Sequence, residues 1–254
     1  MKVTRPGYTE AMRRKTTKIF VDSRFAIYGD GTASILFEIP GGGVELGPHA
    51  RCYVSEFTCV AAWATIDETN RYQTVVEDGT PRMLALPTGA HDLDSFAAAL
   101  EEQLGAGYTV ERVSAGTGGS TFRLLQVSRD AGNFGLPESP MSKIVRFPGV
   151  GLGPVQTSSF VDLRRCHNIF VHSPSFGNYN AVAPGGIRTC LCKIPVDTGY
   201  GGLVRWSTSG SEYDYIECGV RSLHTLRLEL RDGEGQLLDL AGTSFSLTLL
   251  FSEE

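Results

Sequence analysis

The sequence has no apolar run near the roughly 20 residues needed to cross a bilayer, so no membrane-spanning helix is expected. Its first residues lack the charged-then-apolar order of a signal peptide, and secretion is not expected. No Asn-x-Ser/Thr sequon occurs. Histidine is sparse: His49, His91, His167, His172 and His224 are scattered. A cupin-type metal site needs several histidines and a carboxylate converging, which this spacing disfavours. His167 and His172, five apart, would face opposite sides of one strand. Nucleotide-binding signatures are missing as well. Gly149-Val150-Gly151-Leu152-Gly153 lacks the last glycine of the dinucleotide fingerprint, and no glycine cluster leads into Gly-Lys-Ser/Thr. Gly242-Thr243-Ser244-Phe245-Ser246 departs from the serine elbow at its final position. No repeat of 20–50 residues points to a propeller or solenoid.

What the sequence does have is glycine. Thirty of 254 residues, about 12%, compare with a usual value of about 7%, which suits many short strands joined by tight turns. A hydrophobic fraction of 41% is that of a folded protein. The net charge of −5 hides an asymmetry. Lys2, Arg5, Arg13, Arg14, Lys15 and Lys18, against Glu10 alone, give the first 18 residues +5 and leave −10 for the remainder. Residues 1–16 read as a basic arm, either a solvated tail or a contact to nucleic acid or to an acidic neighbouring surface. Cys52, Cys59, Cys166, Cys190, Cys192 and Cys218 lie mostly in apolar strand-like runs and read as reduced, buried residues. Cys190 and Cys192 share a strand face, where two core thiols outweigh a soft-metal pair.

Strand candidates are Lys18–Tyr28, Ala33–Ile39 and Cys52–Val60, then Asn168–His172, Ile187–Ile194, Leu203–Trp206, Tyr213–Cys218, Leu223–Leu230 and Phe245–Phe251. Between the two groups the pattern changes. Asp67–Asn70 reads as a turn and the run ending at Leu84–Pro87 as a short strand. Leu93, Phe96, Leu100 and Leu104 form one stripe and predict a helix over 93–104, with Asp92 to cap it and Gly105 to end it. Two strands follow, near Tyr108–Val113 and Thr121–Val127, and 132–159 reads as a loop or linker rich in Gly, Pro and Ser. Glu101-Glu102 belongs to a charged helix surface, not to an acid–base pair. Arg205-Trp206 and Asn70-Arg71-Tyr72 are candidates for stacking on bases or sugars, with core or interface roles as the plainer reading.

The strand count fits two packed sheets. The expected architecture is mostly β: a single jelly-roll β-sandwich over 17–66 and 160–254, with an inserted small α+β module over 67–159. No catalytic residue, metal site or cofactor is expected.

Two stretches together carry a resemblance. One is Ala62-Trp63-Ala64-Thr65-Ile66-Asp67-Glu68-Thr69-Asn70, followed by Pro87-Thr88-Gly89-Ala90-His91-Asp92 and the helix. The other runs from His167–Ser173 and Leu191–Asp197 through Tyr200-Gly201 to Leu228–Gly242 and the strand Phe245–Phe251. The chain resembles the penton (minor capsid) proteins of polinton-like viruses, virophages and related DNA viruses. His91 stands where that family usually has tyrosine, and Ala241 where it usually has asparagine. The resemblance implies a virion protein, made inside the host cell, that forms a homopentamer at the five-fold vertices beside the major capsid protein. The basic arm (Lys2, Arg5, Arg13, Arg14, Lys15, Lys18) would then face the interior, the genome or internal capsid proteins, or a neighbouring subunit. The rivals are a glycan-binding attachment protein at the vertex, for which Trp206 or Tyr213 would be the exposed aromatics, another minor capsid subunit, and a cupin-like metalloenzyme.

Overall fold

Period-two alternation sets the main strands, because successive side chains of a strand point to opposite faces. Leu226, Leu228 and Leu230 are fully buried, while Arg227 between the first two is exposed. The computed structural model describes residues 16–115, 122–148, 151–177, 179, 181–208 and 214–253. Among these the chain is mostly strand with one α-helix, consistent with a β-sandwich. It divides into two compact units, one of Met1–Cys59, Asn168–Val196 and Val204–Glu254, the other of Val60–His167 and Asp197–Leu203.

Eight strands, four in each, run across the first unit's two main sheets, and a short ninth joins at the side. In chain order they are Thr16–Asp22, Ser34–Glu38, Arg51–Val60, Asn168–His172, Cys190–Pro195, Leu203–Ser207, Thr225–Arg231 and Phe245–Ser252. In one sheet the first strand lies beside the eighth, the eighth beside the third and the third beside the sixth; the short strand Ile216–Glu217 also pairs with the third. In the other sheet the fifth lies beside the fourth, the fourth beside the seventh and the seventh beside the second. The eighth strand is antiparallel to both neighbours, setting Leu247 opposite Val21 on one side and Phe57 on the other. Its register shifts between Thr248 and Leu249. The slip breaks the alternation and buries Thr248, whose hydroxyl donates to Glu56 Oε2 at 3.2 Å.

The first strand stops at Asp22, short of the expected Tyr28, for a local reason. The Asp22 carboxylate accepts from the Arg24 backbone N–H at 3.0 Å and turns Ser23–Phe25 into one turn of 3-10 helix. The buried Ser23 hydroxyl then accepts from Phe245 N at 3.0 Å, tying the turn to the eighth strand. In the closing hairpin, Asp232 Oδ1 accepts from Glu234 N at 2.8 Å and Gln236 N at 2.9 Å. The left-handed position there is Gly235, at φ 79. Ala241 also stands left-handed, at φ 48, a region where Cβ meets the following carbonyl and where glycine or asparagine is better tolerated. Ala241→Gly is expected to stabilise the protein by about 0.5–1 kcal/mol, relief of strain offset by glycine's extra chain entropy, and a urea midpoint measures it.

In the second unit the helix forms as expected. The Asp92 carboxylate accepts from Ser95 N at 2.8 Å, the Ser95 hydroxyl accepts from Asp92 N at 3.0 Å, and Gly105 ends the helix at φ 88. Phe96, Leu100 and Leu104 face a core with Ile66, Val75, Leu86 and Leu125, and Leu93 is partly buried against it. Arg82 extends two donors to the helix C-terminus, to Gln103 O and Leu104 O, where the last carbonyls lack helical partners. The same guanidinium is bound to Glu77 Oε1, which also accepts from Tyr108 Oη at 2.8 Å. Burial and that carboxylate push the Tyr108 hydroxyl up to about 12.

Two features of this unit depart from expectation. Tyr72–Glu77 is a strand, joined to Thr80–Ala85 by the two-residue turn Asp78-Gly79 at φ 47 and 89. Asp-Gly between apolar runs is the cue for such a turn, because both central residues need positive φ. The segment 132–159, expected as a loop or linker, places Phe134, Leu136, Met141, Ile144, Val145 and Phe147 in the core. Its strands are only two or three residues long, too short to show a period.

Candidate assembly surface

Among the described residues the first and second strands are the outer strands of their sheets, and the chain leaving the first strand through Ser23–Phe25 pairs Tyr28 with Leu36 of the second, which sets the two edges on one lateral side. Four large apolar side chains on the stretch from the first strand to Tyr28 are exposed. Phe20 is 70% exposed, Phe25 73%, Ile27 57% and Tyr28 77%. The backbone under them is pinned, since Ile27 N donates to Leu36 O at 2.9 Å and Leu36 N to Tyr28 O at 3.0 Å. Arg24 stands 5.9 Å over the Phe25 ring and is paired with Asp22, whose carboxyl that hydrogen bond holds below its ordinary range. Phe20, Phe25 and Tyr28 together leave roughly 300–500 Å² of apolar surface in solvent, an amount comparable to that of an interaction site. Among the described residues the strand Thr16–Asp22 is paired with one other strand, the eighth. Within Lys18–Tyr28 the excess of apolar residues is the signal, because a strand with one buried face cannot cover Ile19, Phe20, Val21, Phe25, Ala26, Ile27 and Tyr28 together.

The fifth and sixth strands form the opposite lateral side. There a cleft of about 320 Å³ opens between the sheets, lined by Tyr53, Trp206 and Tyr215 from one and by Leu191, Cys192 and Lys193 from the other, with Asp214 at its rim. Tyr53 and Tyr215 meet edge to face, their centroids 4.8 Å apart. Burial, then Tyr215, then the Asp214 charge raise the Tyr53 hydroxyl above its ordinary value.

Of the basic residues expected to make contacts, Lys18 is exposed on the first strand, opposite Leu250. Lys2, Arg5, Arg13, Arg14 and Lys15 lie outside the described residues, as does Tyr213. Trp206 is half-buried in the cleft. Asn70 is buried, its amide donating to Thr65 O at 3.1 Å, and Arg71 stacks on its own neighbour Tyr72. Glu101 is engaged by the backbone N–H of Val110 at 2.9 Å. Among the described residues no group of three His, Cys, Asp or Glu could hold a metal ion. All six cysteines are free thiols, five of them buried, and burial pushes Cys190 up to about 11. No helix among the described residues is long and apolar enough to cross a membrane.

His167 stands 3.7 Å from Asp162. His172 is buried in the fourth strand, paired with Cys190 and Glu229, its Nδ1 3.2 Å from Thr189 Oγ1. Burial, aided by Arg231, lowers its pKa from the ordinary 6.5, and Glu229 opposes this only in part. Below pH 6.5 the unfolded chain takes up a proton here that the fold resists. The unfolded state then binds more protons, so stability falls as pH drops from 6.5 through the depressed folded value. Urea midpoints at about pH 7.5 and about pH 5 are expected to differ less in His172→Gln than in the natural protein.

No protein-family model matches the sequence, and no curated protein matches it. Among solved structures, the crystal structure of the mavirus penton protein aligns with a TM-score of 0.60 over 94% of this chain and 99% of that chain. The two proteins share a fold. At 12% identity, what the mavirus penton protein has in common with this chain is the backbone path, end to end. A Sputnik virophage chain, from the 3.5 Å cryo-EM structure, aligns with a TM-score of 0.49 and 9% identity, over 92% of this chain and 97% of that one.

Proposed function

We propose that this chain is a structural protein of an icosahedral virus capsid, and specifically the penton subunit that closes the five-fold vertices as a homopentamer. One observation carries the reading: the fold is shared with the mavirus penton protein over nearly the full length of both chains. The strand order supports a single jelly roll. Eight strands that set first beside eighth, eighth beside third and third beside sixth in one sheet, and fifth, fourth, seventh and second in the other, fit the double-sheet arrangement of that fold. Residues 67–159 are then the module inserted between its third and fourth strands.

The two lateral sides support a ring. A patch of Phe20, Phe25, Ile27 and Tyr28 on one side and a cleft on the other make a heterologous, head-to-tail contact, which closes when the rotation per subunit divides a full turn. The chain works by these contacts and carries no catalysis or cofactor. The basic arm (Lys2, Arg5, Arg13, Arg14, Lys15, Lys18) serves contacts to neighbouring subunits, to the major capsid protein or to the genome.

Native mass spectrometry of the full chain tests the reading. The expected species is five times 27.5 kDa, about 138 kDa. A trimer, or a monomer that does not assemble at raised concentration or with the major capsid protein, overturns the penton assignment.

A further inference from the structure

The cleft on the fifth- and sixth-strand side has the chemistry of a cation seat. Three ring systems, Tyr53, Trp206 and Tyr215, line it, and ring faces attract a positive charge through their quadrupole. Asp214 adds a carboxylate at the rim, and its field reaches both the Tyr53 hydroxyl and the Cys192 thiol in the cleft wall. Lys193 is the one cation among the lining residues; it is exposed, and its flexible stem lets the ammonium stay in water.

This chain supplies a matching partner. Its first 18 residues carry +5 and the remainder −10, so the arm is attracted to the body of the protein. The described chain begins at Thr16, on the lateral side opposite the cleft, with Arg13, Arg14 and Lys15 immediately before it. Pairing sets Thr16 level with Ser252 and Arg51, and Lys18 level with Leu250 and Tyr53. The arm therefore starts within two residues of the level of the cleft, but at the far edge of the same sheet. A rotation about an axis along the strands keeps that level and brings the first strand of one copy beside the cleft of the next.

We propose that the cleft of Tyr53, Trp206, Tyr215 and Asp214 receives an arginine or lysine side chain from the basic N-terminal segment of a second copy of this chain. The proposal rests on the ring reading above. It gives the arm an outward, lateral role in clamping adjacent subunits, with the apolar patch as the neighbouring contact.

Photo-crosslinking of the full chain tests it. Benzoylphenylalanine at Met12 leaves Arg13, Arg14 and Lys15 intact, and a mixture of light and 15N-labelled chains separates links between copies from links within one. The expected products join light to heavy chain, at peptides containing Tyr53, Trp206 or Tyr215. Their yield should fall about tenfold in Trp206→Ala and in the Arg13→Gln, Arg14→Gln, Lys15→Gln variant, and should rise in Lys193→Glu. Links confined to one copy, links only to other surfaces, or a yield indifferent to these substitutions overturn the proposal. Native mass on the same sample keeps the two readings apart. A pentamer without these links removes the cation seat and leaves the ring, whereas a sample that stays monomeric removes the ring on which the proposal rests.

Discussion

Phe25→Glu combined with Tyr28→Glu is expected to convert the proposed pentamer of about 138 kDa (about five times 27.5 kDa) into monomer while leaving the fold intact. Both side chains are more than 70% exposed in the single chain, so their replacement costs the isolated subunit about 0.5 kcal/mol or less. In a ring the balance is different. Burying a large apolar side chain contributes about 1.5–3 kcal/mol, so two removed from each contact weaken it by about 3–6 kcal/mol. That corresponds to roughly a hundred- to ten-thousand-fold, before the cost of placing two unpaired carboxylates in an apolar contact. Native mass spectrometry and a thermal melt, measured together, check both halves. An unchanged pentamer would show that this patch lies outside the ring contact, and a lowered melting temperature would show that the substitutions damage the subunit itself.

Phe134→Ala is expected to destabilise the second unit by about 3–5 kcal/mol, the usual cost of truncating a fully buried phenylalanine. Its ring meets Tyr108 edge to face with centroids 5.2 Å apart, and its backbone pairs with Gly153 in both directions, at 3.0 Å each. The loss therefore reaches the strand Tyr108–Ala115 as well as the 132–159 segment. Hydrogen exchange is expected to accelerate across Tyr108–Ala115, Phe122–Arg129 and Val155–Thr157, with a lower urea midpoint. Unchanged exchange there would mean that the segment is the linker its composition suggests.

Those two expectations sit at opposite ends of what the residues reveal. The helix Leu93–Leu104 was legible to the residue, because its stripe, its cap Asp92 and its terminating Gly105 are all local. The alternating strands Thr225–Arg231 and Phe245–Ser252 were legible for the same reason. Tyr72–Glu77 was missed although Asp78-Gly79 marked its turn, since Gln73 and Val75, both buried, read as a polar and an apolar position on one face. Gln73 is tolerated there because its amide donates to Pro137 O and accepts from the Ser139 hydroxyl, partners more than 60 residues away. The 132–159 segment was misjudged because glycine, proline and serine describe its turns and say nothing of what Phe134 or Met141 pack against.

Composition and local pattern by themselves determined that this chain is built mostly of strands, that Leu93–Leu104 is a capped helix, and that a basic segment opens an otherwise acidic chain. Each of these depends on neighbours within a few residues. Only the tertiary structure decided which strands are outermost, and hence that Phe20, Phe25, Ile27 and Tyr28 face outward on one side while Tyr53, Trp206 and Tyr215 line a cleft on the other. Those groupings depend on pairings such as Thr16 with Ser252, and a contact separated by more than two hundred residues leaves no periodic trace in the chain that makes it.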